Sequence, residues 1–318
     1  MKSRSQVLAA AVATCAVAAV PTSAGAAPTI AKLRVEAGGH ALDAGNSYVN
    51  DTARLATAPS QCGGSGARRT VAGPSAIGLV DYAKRVNGRL RPFYASDKFS
   101  FGLIVCRIGA YGAFSANDAW LYKVDHRSPD VGGDQYHLHR GDQVVWYFAN
   151  FASGENTGDE LELRTPARVR PNQPFGVRAI AYDFQGNARP AAGARLEGDA
   201  SAVTNANGWA RVEATRQGSF RLRARRGNDV PSAPALTCVN VTLARCPAVR
   251  GERIFGTAGP DPILGTSGAD VIAAGGGDDR VDVSGGGPDA VSCGAGFDRV
   301  RAGRNDRVGR DCERVVRV

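Results

Sequence analysis

Gly256 to Val308 reads GTAGPDPIL, GTSGADVIA, AGGGDDRVD, then Val283, SGGGPDAVS, CGAGFDRVR and a shortened AGRNDRV. An aspartate recurs at Asp261, Asp270, Asp279, Asp289, Asp298 and Asp306, in steps of 9, 9, 10, 9 and 8 residues. Two residues after each comes an aliphatic: Ile263, Ile272, Val281, Val291, Val300 and Val308. Two residues before each of the first five comes glycine: Gly259, Gly268, Gly277, Gly287 and Gly296. A period this short, with carboxylate and aliphatic in fixed phase, describes stacked half-coils. Glycine serves the tight turns. The aliphatic points into a thin core, and the aspartate supplies oxygen at the turn.

The period has the form G-G-x-G-x-D-x-U-x, that of a calcium-binding parallel β-roll. The stretch resembles the RTX (hemolysin-type) repeats. Calcium takes roughly 6–8 oxygen ligands in flexible geometry. One turn cannot supply them, so stacked turns should share each ion, and binding should couple to folding. The resemblance implies Ca2+ as cofactor, with the six aspartates and the five glycines above as the metal site. Some turns depart from the pattern. Pro260 and Pro288 occupy turn positions, Pro262 follows the first aspartate, Val283 reads as an insertion, and the last turn has lost a residue. Fewer than the full set of sites is therefore expected. A flexible Gly/Asp tail would not keep an apolar period in phase with its charges.

The first residues carry Lys2 and Arg4, an apolar run from Val7 to Val20, then Ala24-Gly25-Ala26. This reads as a secretory signal peptide over 1–26. The run is short of the roughly 20 residues of a membrane span, so a mature chain without a transmembrane segment is expected, secreted to the exterior or the cell surface. Cys15 leaves with the signal. Cys62, Cys106, Cys238, Cys246, Cys293 and Cys312 remain, an even set suited to disulfides in an oxidising compartment. Several connectivities are open. The local one, Cys62–Cys106, Cys238–Cys246 and Cys293–Cys312, is the expectation. No CxxC or CxxH spacing points to zinc. The net charge of +9 comes mostly from dispersed arginine, without basic runs interleaved with aromatics. Nucleic acid is not an expected partner, whereas an acidic cell-wall or extracellular polymer suits the charge.

Residues 27–163 read as a first domain. Ile30–Ala37 is a strand, Ser75–Val86 a helix capped by Ser75, and Phe99–Ile108 a buried strand. Asp118–Asp125 and Gln143–Phe148 are strands, the second opened by a tight Arg140-Gly141-Asp142 turn. Trp120-Leu-Tyr-Lys-Val, the Gly132-Gly133 turn and Leu138-His-Arg-Gly-Asp-Gln-Val-Val-Trp146 resemble the transcobalamin-like C-terminal β-domain family. The resemblance implies a small β-grasp-like domain with one helix. In its vitamin-carrier relatives that domain closes over cobalamin. His137 and His139, two apart on a predicted strand, share a face, but a third metal ligand is not clearly placed. No GxSxG elbow, paired carboxylates or cysteine nucleophile marks a catalytic centre.

Residues 164–246 change to short strands and turns, with Asn205-Ala-Asn207-Gly208 as a hairpin signal. Strands at this spacing argue for a β-sandwich, and Trp209 is expected in its core as buried aromatics usually are. The pattern T-N-A-N-G-W-A-R-V…G-S-F-R-L-R-A resembles bacterial Ig-like or carboxypeptidase-regulatory-like domains. The roll occupies 247–318. The whole is mostly β: a β-grasp-like domain, an Ig-like β-sandwich and a C-terminal parallel β-roll. The function expected is that of a secreted, non-enzymatic calcium-binding protein with adhesive or binding modules upstream. The alternatives are a small-ligand, corrinoid-like carrier through the N-terminal domain, or the accessory part of an extracellular hydrolase.

Overall fold

The computed structural model describes residues 27–113, 115–246 and 250–318. The expected signal segment lies outside these residues. The chain is mostly β, as the alternating and nonapeptide patterns require.

Thr29–Ala37 and His40–Asn50 form an antiparallel hairpin. Its turn is Gly38-Gly39, both at positive φ (56° and 72°). Gln143–Asn150 runs parallel to the first strand, with Val35 opposite Trp146. Asp118–Val124 pairs antiparallel beyond it. The helix Ala76–Val86 lies across this sheet. It buries Ile77, Leu79, Val80 and Ala83, while the Ser75 hydroxyl accepts the Gly78 N–H. Trp146 Nε1 donates to Ala76 O at 3.0 Å and fastens helix to sheet.

Two expectations fail in this part. Only Ile104–Ile108 of the Phe99–Ile108 stretch is a strand, because Gly102 turns the chain at φ 128°. Phe99 and Phe101 are exposed and stack on each other. Residues 136–139 are not a strand either. His137 makes a single bridge to Ser75, and the connection between the Trp120 and Trp146 strands is a long loop.

Glu160–Arg164, Pro174–Tyr182, Ala188–Pro190 and Trp209–Glu213 form one sheet of the middle region. Arg168–Val169, Ala235–Val239, Gly218–Arg225, Arg195–Gly198 and Ala202–Val203 form the other. Leu161, Val177, Leu196, Val212, Phe220 and Leu222 fill the space between them. Trp209 is a correction: it is half-exposed on the outer face, its ring against Gly176 and near the Arg178 guanidinium. Buried charges bind this sandwich to the N-terminal domain. Arg34 pairs with Glu160, Arg223 pairs with Glu36, and Lys123 Nζ donates to Tyr182 O and Asp183 O at 3.0 and 2.8 Å. Removing one partner of such a pair strands a buried charge.

The C-terminal roll has two parallel sheets of four strands. One holds Arg250–Phe255, Ala269–Gly276, Ala290–Ala295 and Arg307–Val308. The other holds Pro262–Leu264, Arg280–Val283, Arg299–Ala302 and Arg314–Arg317. The first sheet does not end at its own first strand. Arg250–Phe255 pairs parallel with His40–Asn50, Ile254 opposite Ser47 and Phe255 opposite Tyr48. One eight-stranded sheet thus runs from the N-terminal domain into the roll. Ile30 and Val49 pack in the same core as Ile254, Ile263, Ile272, Val281, Val291 and Val300. Pairing removes an open sheet edge that would otherwise invite association. Val283 is not the inserted residue. It is buried and pairs with Ala302, so the extra residue falls in the Ser284–Gly286 turn.

Val49→Ala should therefore weaken the roll, although the two are some two hundred residues apart in sequence. A loss of about 2 kcal/mol is expected from the missing apolar contact. Limited proteolysis should show it as faster cleavage beyond residue 250. Unchanged cleavage there would contradict the shared core.

Candidate functional site

The six aspartates alternate between the two sides of the roll, so each side stacks every second one. On one side the Asp261 N–H donates to Asp279 Oδ1 (2.9 Å), Asp279 N–H to Asp298 Oδ1 (2.8 Å) and Asp298 N–H to Glu313 Oε2 (2.8 Å). On the other, Glu252 N–H donates to Asp270 Oδ1 (2.7 Å), Asp270 N–H to Asp289 Oδ1 (2.7 Å) and Asp289 N–H to Asp306 Oδ1 (3.0 Å). All six aspartates are buried. Alternation of strand and turn places them there. Each aliphatic two residues on points into the core, and its aspartate lies at the strand's start, facing the next coil.

Glu252 and Glu313 extend the ladders beyond the aspartates read from the sequence. The signal was present: Glu252 lies nine residues before Asp261, with Ile254 two residues on, and Glu313 is followed likewise by Val315. Their carboxylates serve the ends. Glu252 accepts Lys32 Nζ (2.9 Å) and the Ser47 hydroxyl (2.5 Å) of the N-terminal domain.

The second oxygen of each aspartate separates the six. Asp261 Oδ2 accepts the Thr257 N–H (2.5 Å), and the Thr257 hydroxyl donates to Oδ1 (3.1 Å). Thr266 treats Asp270 in the same way. Asp306 Oδ2 accepts the Gly303 N–H (2.7 Å). Asp279, Asp289 and Asp298 differ: their Oδ2 atoms are buried with no hydrogen-bond partner. A buried carboxylate oxygen without a donor is costly unless a cation or proton meets it. Burial first, then the neighbouring aspartates, raises the Asp279 carboxyl to about 7 and that of Asp289 to about 6. Asp261 is raised as well, chiefly by burial.

The glycines divide too. Gly277 and Gly296 stand at φ 96° and 144°, and a Cβ there would lie 2.4 and 2.1 Å from backbone of the previous coil. Gly287 needs its lack of a side chain for the same closeness, 2.8 Å from Ala269 N. Gly259 and Gly268 instead donate their N–H to the Thr257 and Thr266 hydroxyls, each at 3.1 Å. Carboxylate oxygen beside turn backbone is the hard donor set that calcium prefers, and the three orphaned Oδ2 atoms leave a place for it. Among the described residues no group of three or more His, Cys, Asp or Glu side chains converges as a metal cage, so turn carbonyls would have to complete each shell. Asp279, Asp289 and Asp298 are the residues that would hold the ion. Bound Ca2+ would supply positive charge to offset the negative charge of these carboxylates.

Among the described residues the histidines form no second metal-binding cluster. His126 stacks on Tyr182 (3.8 Å between centroids) with Nδ1 3.2 Å from Glu160 Oε2. His139 is exposed beside Asp142. The expected cysteine pairs are all joined: Cys62–Cys106, Cys238–Cys246 and Cys293–Cys312. The last ties a strand of the fifth half-coil to the end of the roll.

Two families match the chain. The RTX calcium-binding nonapeptide repeat (4 copies) matches residues 255–290, covering Asp261 to Asp289. A domain of unknown function (DUF4430) matches residues 108–150, which include the Trp120 and Trp146 strands. No curated protein and no solved structure matches. The C-terminal segment therefore carries calcium-binding RTX repeats, and Ca2+ is their cofactor.

Raised carboxyls make the calcium-free roll sensitive to pH. The folded chain keeps protons on Asp279 and Asp289 that an unfolded chain releases near 3.8. Stability from this source is present below that value and is lost as pH rises through about 6 and about 7. In chelator, the roll's melting temperature should fall between pH 5 and pH 8. A rise over that interval would contradict the raised carboxyls.

Proposed function

We propose that this is a secreted, non-enzymatic calcium-binding protein whose repeat roll takes up Ca2+ between stacked turns after export. One observation carries the reading. Two in-register carboxylate ladders leave buried, unpartnered oxygens at Asp279, Asp289 and Asp298, within and directly after the segment that matches calcium-binding repeats. Protonation or a divalent cation relieves such an array, and at neutral pH outside a cell calcium is the abundant hard cation. Extracellular calcium modules work at about 10⁻⁴–10⁻³ M, so the same roll would stay empty in a low-calcium cytosol. The three disulfides fit an oxidising compartment. In this reading the N-terminal domain and the sandwich, which takes in the strand Glu160–Arg164, are binding or spacing modules, the second Ig-like. The ladder aspartates and turn glycines are the metal site, with Asp261 and Asp270 in a lesser part because threonine already satisfies them.

A second reading, a small-ligand carrier, has its own support. A cleft of about 280 Å³ opens beside Trp120, Tyr122 and Trp146, with Phe184 of the sandwich at its rim. Its lining includes Trp120 and Trp146, which belong to the stretch that resembles the transcobalamin-like family. Its size is below the roughly 300–1,000 Å³ of common ligand pockets, so a corrinoid would require the two modules to part. Calcium binding is the better-supported activity.

Calorimetric titration of the chain with calcium should give saturable binding. Asp279→Asn or Asp298→Asn should each weaken it by about tenfold or remove a site, since each deletes charge at an open oxygen. Asp261→Asn should change it by less than about threefold. Equal losses in all three variants, or no heat with the native chain, would refute the ranking.

A further inference from the structure

We infer that the outer face of the roll's Pro262–Leu264 sheet is a binding track for a linear acidic polysaccharide carrying one carboxylate per sugar. The inference deepens the calcium reading and rests on it only in requiring the roll's strands to be stacked.

Arg280 stands in register with Arg299, and Arg299 with Arg314. All three are exposed. Neighbouring strands of a sheet lie about 4.8 Å apart, so these arginines form a column at that pitch. None of the three makes an ion pair among the described residues; Arg299 has only the Phe297 ring, 5.2 Å away. Like charges directly opposite one another on a sheet face are unfavourable. The column is not a by-product of arginine-rich composition. On the opposite sheet the corresponding outward column is Arg253, Val271, Ala290 and Arg307, with charge only at its ends. Beside the arginine column runs a second one of Leu264, Asp282, Arg301 and Val316. Its one carboxylate is matched by Arg301 at 3.4 Å, and its two aliphatic members are exposed.

The column leads somewhere. Pro262 takes the place of a fourth arginine, and there the face meets a groove of about 370 Å³ against the N-terminal domain. Arg140 and Arg280 both line that groove. Arg140 is held in place by its bond to Leu264 O (2.8 Å). A track of Arg314, Arg299 and Arg280 thus runs toward a groove carrying Arg140.

Charge complementarity selects a polyanion, and the pitch selects its kind. Guanidinium groups take carboxylates in paired hydrogen bonds. An extended chain of uronic acid sugars advances by about one strand spacing per ring and turns successive carboxylates to opposite edges, so that alternate carboxylates can reach the long arginine side chains of the column. Exposed Leu264 and Val316 offer apolar surface to ring faces. Nucleic acid suits the face less well, because it lacks the series of aromatic rings on which bases stack. Calcium held by the ladders adds charge of the favourable sign to the same roll.

Hexagalacturonate, too short to gel with calcium, is the probe. Titrated into the calcium-loaded full chain, it should bind with an affinity that weakens as salt rises. Arg280→Ser/Arg299→Ser/Arg314→Ser should lose about tenfold or more, with circular dichroism and calcium stoichiometry unchanged. Arg253→Ser/Arg307→Ser on the opposite sheet should stay within about twofold. Equal loss in that control, or equal binding of hexadeoxythymidylate, would overturn the inference. A native chain that takes up calcium but no hexagalacturonate would overturn it too, while leaving the calcium reading intact.

Discussion

Each ladder carboxylate after the first on its side accepts the backbone N–H of its counterpart one coil earlier, and the stacking of the roll follows from that bond. It aligns the coils and fixes their register, but it also stacks carboxylates of like charge at the strand spacing. Two charges about 5 Å apart repel by about 3 kcal/mol at the effective dielectric of a protein surface. A hydrogen bond to a charged group returns about 1.5–3 kcal/mol. The two nearly cancel, so a third factor decides whether the stack stands. At low pH the factor is a proton. At neutral pH we propose that it is a cation at the unpartnered oxygens of Asp279, Asp289 and Asp298.

The ends of the stack are secured by other means. At its start the sheet is templated by the His40–Asn50 strand, and Glu252 turns its carboxylate to Lys32 and Ser47. Thr257 and Thr266 then satisfy the first aspartate on each side. At the far end Cys293–Cys312 ties the last coils together. Closing a loop of this length removes roughly 3 kcal/mol of unfolded-state entropy in the chain-entropy view. In the proposed reading, dependence on calcium is concentrated in the middle coils. The N-terminal domain sits at the hub, sharing a sheet with the roll and buried ion pairs with the sandwich.

The roll was legible in the sequence because its period is short and local: carboxylate, aliphatic and glycine repeat within nine residues. The helix at Ala76–Val86 was legible for the same reason, with its cap and apolar spacing close together. Partners distant in sequence were not. Nothing in the sequence of Ser47 or Tyr48 announces pairing with residues 254 and 255. Trp209 read as core by its size, yet its strand turns it outward beside Arg178. Phe99 and Phe101 read as strand by hydropathy until Gly102 turned the chain. The inequality among the aspartates depends on second oxygens, and the threonines four residues upstream of Asp261 and Asp270 were its only trace.

Hydrogen exchange along the roll, in calcium and in chelator, tests most directly whether a templated first coil and calcium-dependent middle coils share one stack. The expected result is strong protection of residues 253–255 in both conditions, with protection of 279–300 gained only when calcium is present. Loss of protection at 253–255 on chelation, or equal protection of 279–300 with and without calcium at neutral pH, would contradict it.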